Sequence, residues 1–170
     1  HLFTRIGLVP FTFPFIMVTW VGVLVLDRYI GVPRAVALSD SVEWSANGAM
    51  AIALKGFAQV FLQTDTWSGA LFLLALLVGS PRAALLATSA SGMSALLATA
   101  LGIPTDVVGA GVFGYNALLT TIAFTGTTRV DGWWSALAAG LAFGLQVALG
   151  AAGWFDAFGG LLTLPFVAAC

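Results

Sequence analysis

Long apolar runs separated by short charged loops constrain this chain more than any other feature. Hydrophobic residues make up 60% of its 170 positions and charged residues 8%, against roughly a quarter charged in a soluble domain. Mean hydropathy is +1.03. A run of about 20 apolar residues crosses a bilayer core as a helix, and every backbone polar group is then satisfied inside the segment. The chain therefore reads as an all-α polytopic membrane protein.

The same composition excludes other classes. Net charge is −1, which gives no basic surface for nucleic acid. The single cysteine, Cys170, rules out a disulfide framework or thiolate cluster, and the single histidine is His1. No metal site, cofactor or catalytic nucleophile–base pair can be assembled, so an enzyme is not expected. Pro10 and Pro14 interrupt the first apolar stretch, which does not read as a signal peptide.

Six spans and one half-span are predicted. The first covers about Gly7 to Leu26. The loop Asp27 to Glu43 holds Asp27, Arg28, Arg34, Asp40 and Glu43. Trp44 to Leu62 is apolar but carries Asn47, Lys55 and Gln59. A lysine at the centre of a full span costs a few kcal/mol; a re-entrant half-helix that returns to its own face avoids that cost. Trp67–Gly79, Ala83–Leu101, Val107–Thr125 and Trp133–Ala152 follow, with a last, truncated span starting near Phe158. The tryptophans mostly lie near predicted span ends, as interfacial anchors do. Lys and Arg divide evenly between the two faces, so charge does not orient the chain. The absence of an initial Met and the short run after Pro165 suggest the second part of a longer protein: residues 1–26 as the last helix of a first repeat, 27–43 as a linker, 44–170 as the second repeat.

One motif occurs twice. Phe11-Thr12-Phe13-Pro14-Phe15 and Leu162-Thr163-Leu164-Pro165-Phe166 each set a hydroxyl two residues before a helix-breaking proline. Five crossings separate the copies, an odd number, so the two motif helices run antiparallel. Such copies form an inverted repeat that can meet at mid-bilayer, where transporters place a solute. A threonine can also merely bond back to its own helix.

Other motifs are weaker. Gly109-Ala110-Gly111-Val112-Phe113-Gly114 fits a dinucleotide fingerprint, but it lacks the strand and soluble βαβ unit that fingerprint needs; close helix packing is the better reading. Asn116 is a strong hydrogen-bonding group inside a span and ties its helix to a neighbour or to broken backbone. Tyr115 and Leu119 share a helix face. Gln59 either caps the half-helix or meets a solute.

Lys55-Gly56-Phe57-Ala58-Gln59-Val60-Phe61 followed by Trp67-Ser68-Gly69, together with Gly111 to Leu119 and the two Thr-x-Pro-Phe boxes, resembles the urea transporter family in order and spacing over nearly the whole chain. The resemblance implies a passive, channel-like urea transporter in a plasma membrane, with an inverted-repeat fold and one pore in each subunit of a homotrimer. It implies that Gln59 lies beside a ladder of oxygens, that Phe61, Tyr115 and Leu119 line a flat slot, and that Thr12 and Thr163 stand at its midpoint. Pro14, Phe15, Asn116, Pro165 and Phe166 would be structural there. The chain departs from the family in carrying Asp65-Thr66 where Asn-Pro is common, and in Leu62, which leaves Phe61 as the slot aromatic or none. The partners implied are urea and the lipid bilayer. A channel for another small neutral solute (a short amide, ammonia or water) and a purely structural membrane protein stay open beside this reading.

Overall fold

A computed structural model describes residues 11–31, 46–126 and 129–170. The start of the first expected span, most of the loop up to Glu43, and Trp44 lie outside the described residues. Within them the chain is helical: α1 Phe13–Tyr29, α2 Ala46–Gln59, α3 Thr66–Gly79, α4 Pro81–Ala100, α5 Thr105–Gly109, α6 Gly114–Phe124, α7 Arg129–Ala152, a 3-10 turn at Asp156–Phe158, and α8 Leu164–Ala169.

Lengths sort these helices. Pro81–Ala100 and Asp131–Ala152 are long and apolar enough to cross a membrane. The 14 residues of α2 reach about 21 Å at 1.5 Å each, short of a core of about 30 Å. It ends at Gln59.

The helix ends follow local chemistry. Asp65 opens α3: its carboxylate accepts from the Ser68 backbone N–H at 2.8 Å and from the Ser68 hydroxyl at 2.6 Å. Those two bonds hold the exposed carboxyl below the ordinary carboxylate range. Ser80 caps α4 through Ala83 N–H, with Pro81 in its first turn, where the missing proline N–H costs nothing.

Helix α6 is the centre of the bundle, and Gly114 through Leu118, Thr120 and Thr121 are buried. Helix α4 turns small residues toward it, Ala84, Ala87, Ser91, Ser94, Ala95 and Ala98, while Leu85, Met93, Leu96 and Leu97 are exposed. Small side chains inward and large apolar ones outward is the pattern for helices that pack in lipid, where close approach replaces hydrophobic exclusion. A tight point lies where α2, α4 and α6 meet. A Cβ on either Gly56 or Gly114 would run into the Ser91 hydroxyl, which itself donates to Ala53 O at 3.2 Å. Buried hydroxyls elsewhere return to their own helices, as Thr120 does to Asn116 O and Thr121 to Ala117 O, both at 2.8 Å. Such bonds leave no polar atom facing hydrocarbon.

Two expected spans are not continuous. Val107–Thr125 is split into α5 and α6 by Ala110–Phe113. Gly111 adopts φ +79°, and a Cβ there would lie 2.6 Å from Lys55 C and 2.7 Å from Gly56 N. The break follows from α2 pressing its backbone against this turn, which only glycine admits. The final stretch is broken as well: Gly159 and Gly160 both have positive φ, and a helix resumes only at Leu164. Trp20 lies within α1 rather than at its end. It stacks on Phe155 at 5.1 Å and donates from Nε1 to Gly160 O at 3.0 Å.

Candidate functional site

Each copy of the repeated motif begins with a residue in the left-handed region, Phe11 at φ 41° and Leu162 at φ 50°. The threonines that follow share one backbone conformation, φ −94°, ψ 7° at Thr12 and φ −88°, ψ 16° at Thr163. Pro14 and Pro165 each sit in the first turn of the helix that starts there. Neither threonine hydroxyl caps its own helix. They meet each other instead, Oγ1 to Oγ1, at 2.7 Å across 151 residues of sequence. Phe11 packs edge-on against Phe166, ring centroids 5.2 Å apart. The second copy is deeply set, with Pro165 and Phe166 buried; Pro14 and Phe15 of the first copy are exposed.

A polar network braces the second copy. Asn116 is fully buried. Its Nδ2 donates to Gln146 Oε1 and to Leu162 O, each at 3.1 Å. Its Oδ1 accepts from Phe166 N–H at 3.3 Å. Gln146 Nε2 donates to Val112 O at 2.6 Å, within the break between α5 and α6. The Tyr115 hydroxyl donates to Leu162 O as well. Two backbone breaks, at 110–113 and at 159–163, are thus tied together by three side chains. Among the described residues no buried side-chain polar atom is without a partner, as buried polar groups require in low dielectric.

A cavity of about 440 Å³ opens beside this network, lined by Gln59, Leu62, Tyr115, Gln146, Asp156 and Leu162 among others. Gln59 reaches it from the end of α2 and donates from Nε2 to Ala110 O at 2.9 Å. Neither Thr12 nor Thr163 lines it; Leu162, the residue before Thr163, does. Phe61 is placed elsewhere: its ring lies edge-on against Phe72 at 5.1 Å, and the residue of that turn which lines the cavity is Leu62. Leu119 packs against the apolar cluster of Phe57, Ala87 and Leu118. Of the sequence candidates, the structure joins Thr12 to Thr163 and groups Gln59 with Tyr115, while Phe61 and Leu119 face apolar neighbours.

Sequence reasoning passed over Gln146, and took Leu62 only as a departure from the family that left Phe61 as the slot aromatic or none. The signal for Gln146 was its being the one amide in the 24-residue apolar helix α7. Leu62 follows the end of α2 with a φ of +56°, a backbone turn that residue type alone does not signal. Among the described residues no group of three or more His, Cys, Asp or Glu side chains could hold a metal ion.

The sequence profile of the urea transporters matches residues 1–170. Among curated proteins, urea transporter 1 of Rattus norvegicus is 27% identical over 142 residues, which covers 78% of this chain and 36% of that relative. The chain therefore spans about a third of the length of the relative it matches.

Proposed function

This chain belongs to the urea transporter family, a membrane-integral family of transporters, and from that premise we propose that it forms part of a passive, channel-like path for urea. The contact between the Thr12 and Thr163 hydroxyls at 2.7 Å carries the reading. Two hydroxyls bring two donor hydrogens and four lone pairs; their mutual bond uses one of each. The pair keeps a donor for a carbonyl oxygen and acceptors for N–H groups. Urea, planar and neutral, offers both kinds of partner.

In this reading the threonine pair is the midpoint of a narrow slot. Tyr115 and Gln59 stand along its wall, with Leu62 closer to it than Phe61. Flat apolar walls exclude hydrated ions, which would shed water without compensation, and oxygens along one edge replace the water lost by N–H groups. Transport needs no coupling ion, so urea moves down its own gradient. The domain division belongs to the same proposal: residues 1–26 close a first repeat, 27–43 link, and 44–170 form an inverted second repeat with α2 re-entrant. A pore completed by further sequence, and assembly as a homotrimer in the plasma membrane, belong to the same proposal, which the family resemblance supports.

The satisfied buried network also fits a purely structural role for the threonines, and one experiment separates the two. Stopped-flow urea flux is measured on proteoliposomes carrying the full-length protein and its Thr12→Val/Thr163→Val variant at equal density. The expected result is flux without an ion gradient that falls at least about tenfold in the variant, the scale of losing one or two solute hydrogen bonds. Unchanged flux in the variant would leave the threonines structural. Faster flux for ammonia or water than for urea would assign the path to another neutral solute.

A further inference from the structure

Around the cavity, side-chain donors bond to protein oxygens, while the Gln59 and Gln146 amides each keep one further Nε2 hydrogen. Gln59 Nε2 donates to Ala110 O and Gln146 Nε2 to Val112 O. Asn116 Nδ2 spends both hydrogens, on Gln146 Oε1 and Leu162 O. The Tyr115 hydroxyl donates to that same Leu162 carbonyl. Tyr115 and Leu162 both line the cavity, so this bond lies in its wall.

A phenol has a single hydrogen. With that hydrogen held by Leu162 O, the Tyr115 oxygen presents lone pairs only. We propose that Tyr115 is a specificity-determining residue that acts solely as an acceptor, demanding an N–H from the passing solute at this point of the path. The inference rests on the urea-path reading above and deepens it.

The consequence is a preference between molecules of one size. Urea carries an amino group on each side of its carbonyl, so either edge satisfies Tyr115. In acetamide a methyl group replaces one amino group with little change in shape. Turned toward Tyr115, that methyl leaves a desolvated oxygen without a partner, so acetamide passes with its amino edge toward Tyr115, one of the two orientations open to urea. Apolar walls alone would discriminate between the two far less.

Tyr115→Phe is a clean test, because the ring stays and the Leu162 carbonyl keeps its bond from Asn116. Urea and acetamide flux are measured by stopped flow on proteoliposomes carrying the full-length protein or the variant, each corrected for bare liposomes. The expected result is a urea-to-acetamide ratio that falls roughly twofold in the variant, as both orientations of acetamide become open once the acceptor-only oxygen is gone. A fall in both fluxes at constant ratio would make Tyr115 a packing residue and overturn the inference. Absence of protein-dependent urea flux from the unmodified protein would instead overturn the urea-path reading on which the inference rests.

Discussion

Phe15 and Phe166 occupy the same place in the two copies of the motif, yet Phe15 is 45% exposed and Phe166 is 5% exposed. The prolines before them differ in the same direction, Pro14 exposed and Pro165 buried. Backbone conformation does not differ, since both copies start with a left-handed residue and place their threonine within a few degrees of one shape. The turn is therefore encoded locally, by an apolar residue, a threonine and a proline in that order. Burial is supplied from outside the motif. For the second copy the supply is visible: Asn116 holds Leu162 O and Phe166 N–H, and Tyr115 adds a second bond to Leu162 O. Among the described residues no side chain does the same for Phe11 and Phe15.

A non-glycine residue in the left-handed region costs on the order of 1 kcal/mol or more and persists only where its surroundings over-determine it. At Leu162 the two donors on its carbonyl do so. Asn116→Leu should accordingly have the largest effect of any change at the second copy. It orphans Phe166 N–H and Gln146 Oε1, at about 1–3 kcal/mol for each buried group. A loss of about 4 kcal/mol is expected, read from thermal unfolding in detergent followed by near-ultraviolet circular dichroism. A loss under about 1 kcal/mol would mean that the second copy does not depend on this network.

Truncating the two phenylalanines tests the asymmetry directly. Phe166→Ala should cost about 3 kcal/mol, in the range for a buried aromatic, and Phe15→Ala under about 1 kcal/mol in this chain by itself. Equal costs would show that the first copy is as firmly packed as the second.

The smallest effect is expected at Leu162. Leu162→Gly relieves the left-handed strain and leaves the carbonyl in place, but deletes a partly buried side chain. The opposing contributions, each about 1 kcal/mol, should leave stability within about 1 kcal/mol of the unmodified chain in the same melts. A loss above about 2 kcal/mol would place the importance of this position in its side chain rather than in its carbonyl.

How much of this was legible beforehand differs by kind of feature. Period and composition are local, and they carried the helical class, the end of α2 at Gln59, and the limits of α3, α4 and α7 to within a few residues. The meeting of Thr12 and Thr163 was legible because a duplicated motif is itself a long-range signal. The split of Val107–Thr125 was not: Gly111 reads as one more small residue until the backbone of Lys55 and Gly56 is seen pressed against it. Phe61 and Leu62 show the same limit. The family resemblance gives Phe61 the slot place, but its ring lies against Phe72, while Leu62, at a positive φ, lines the cavity. Gln146 lay in an otherwise apolar helix, where a lone amide marks a bond to broken backbone as plainly as Asn116 does.

The hydroxyl pair also has a meaning for biosynthesis. Its two oxygens come from residues 151 apart in sequence. At a ribosomal rate of roughly 5–20 residues per second, about 8–30 s separate the synthesis of Thr12 from that of Thr163. Through that interval a nascent chain already threaded into the bilayer has one hydroxyl without its mate and no second helix break beside it. The contact can form only after the second motif has been made and brought beside the first.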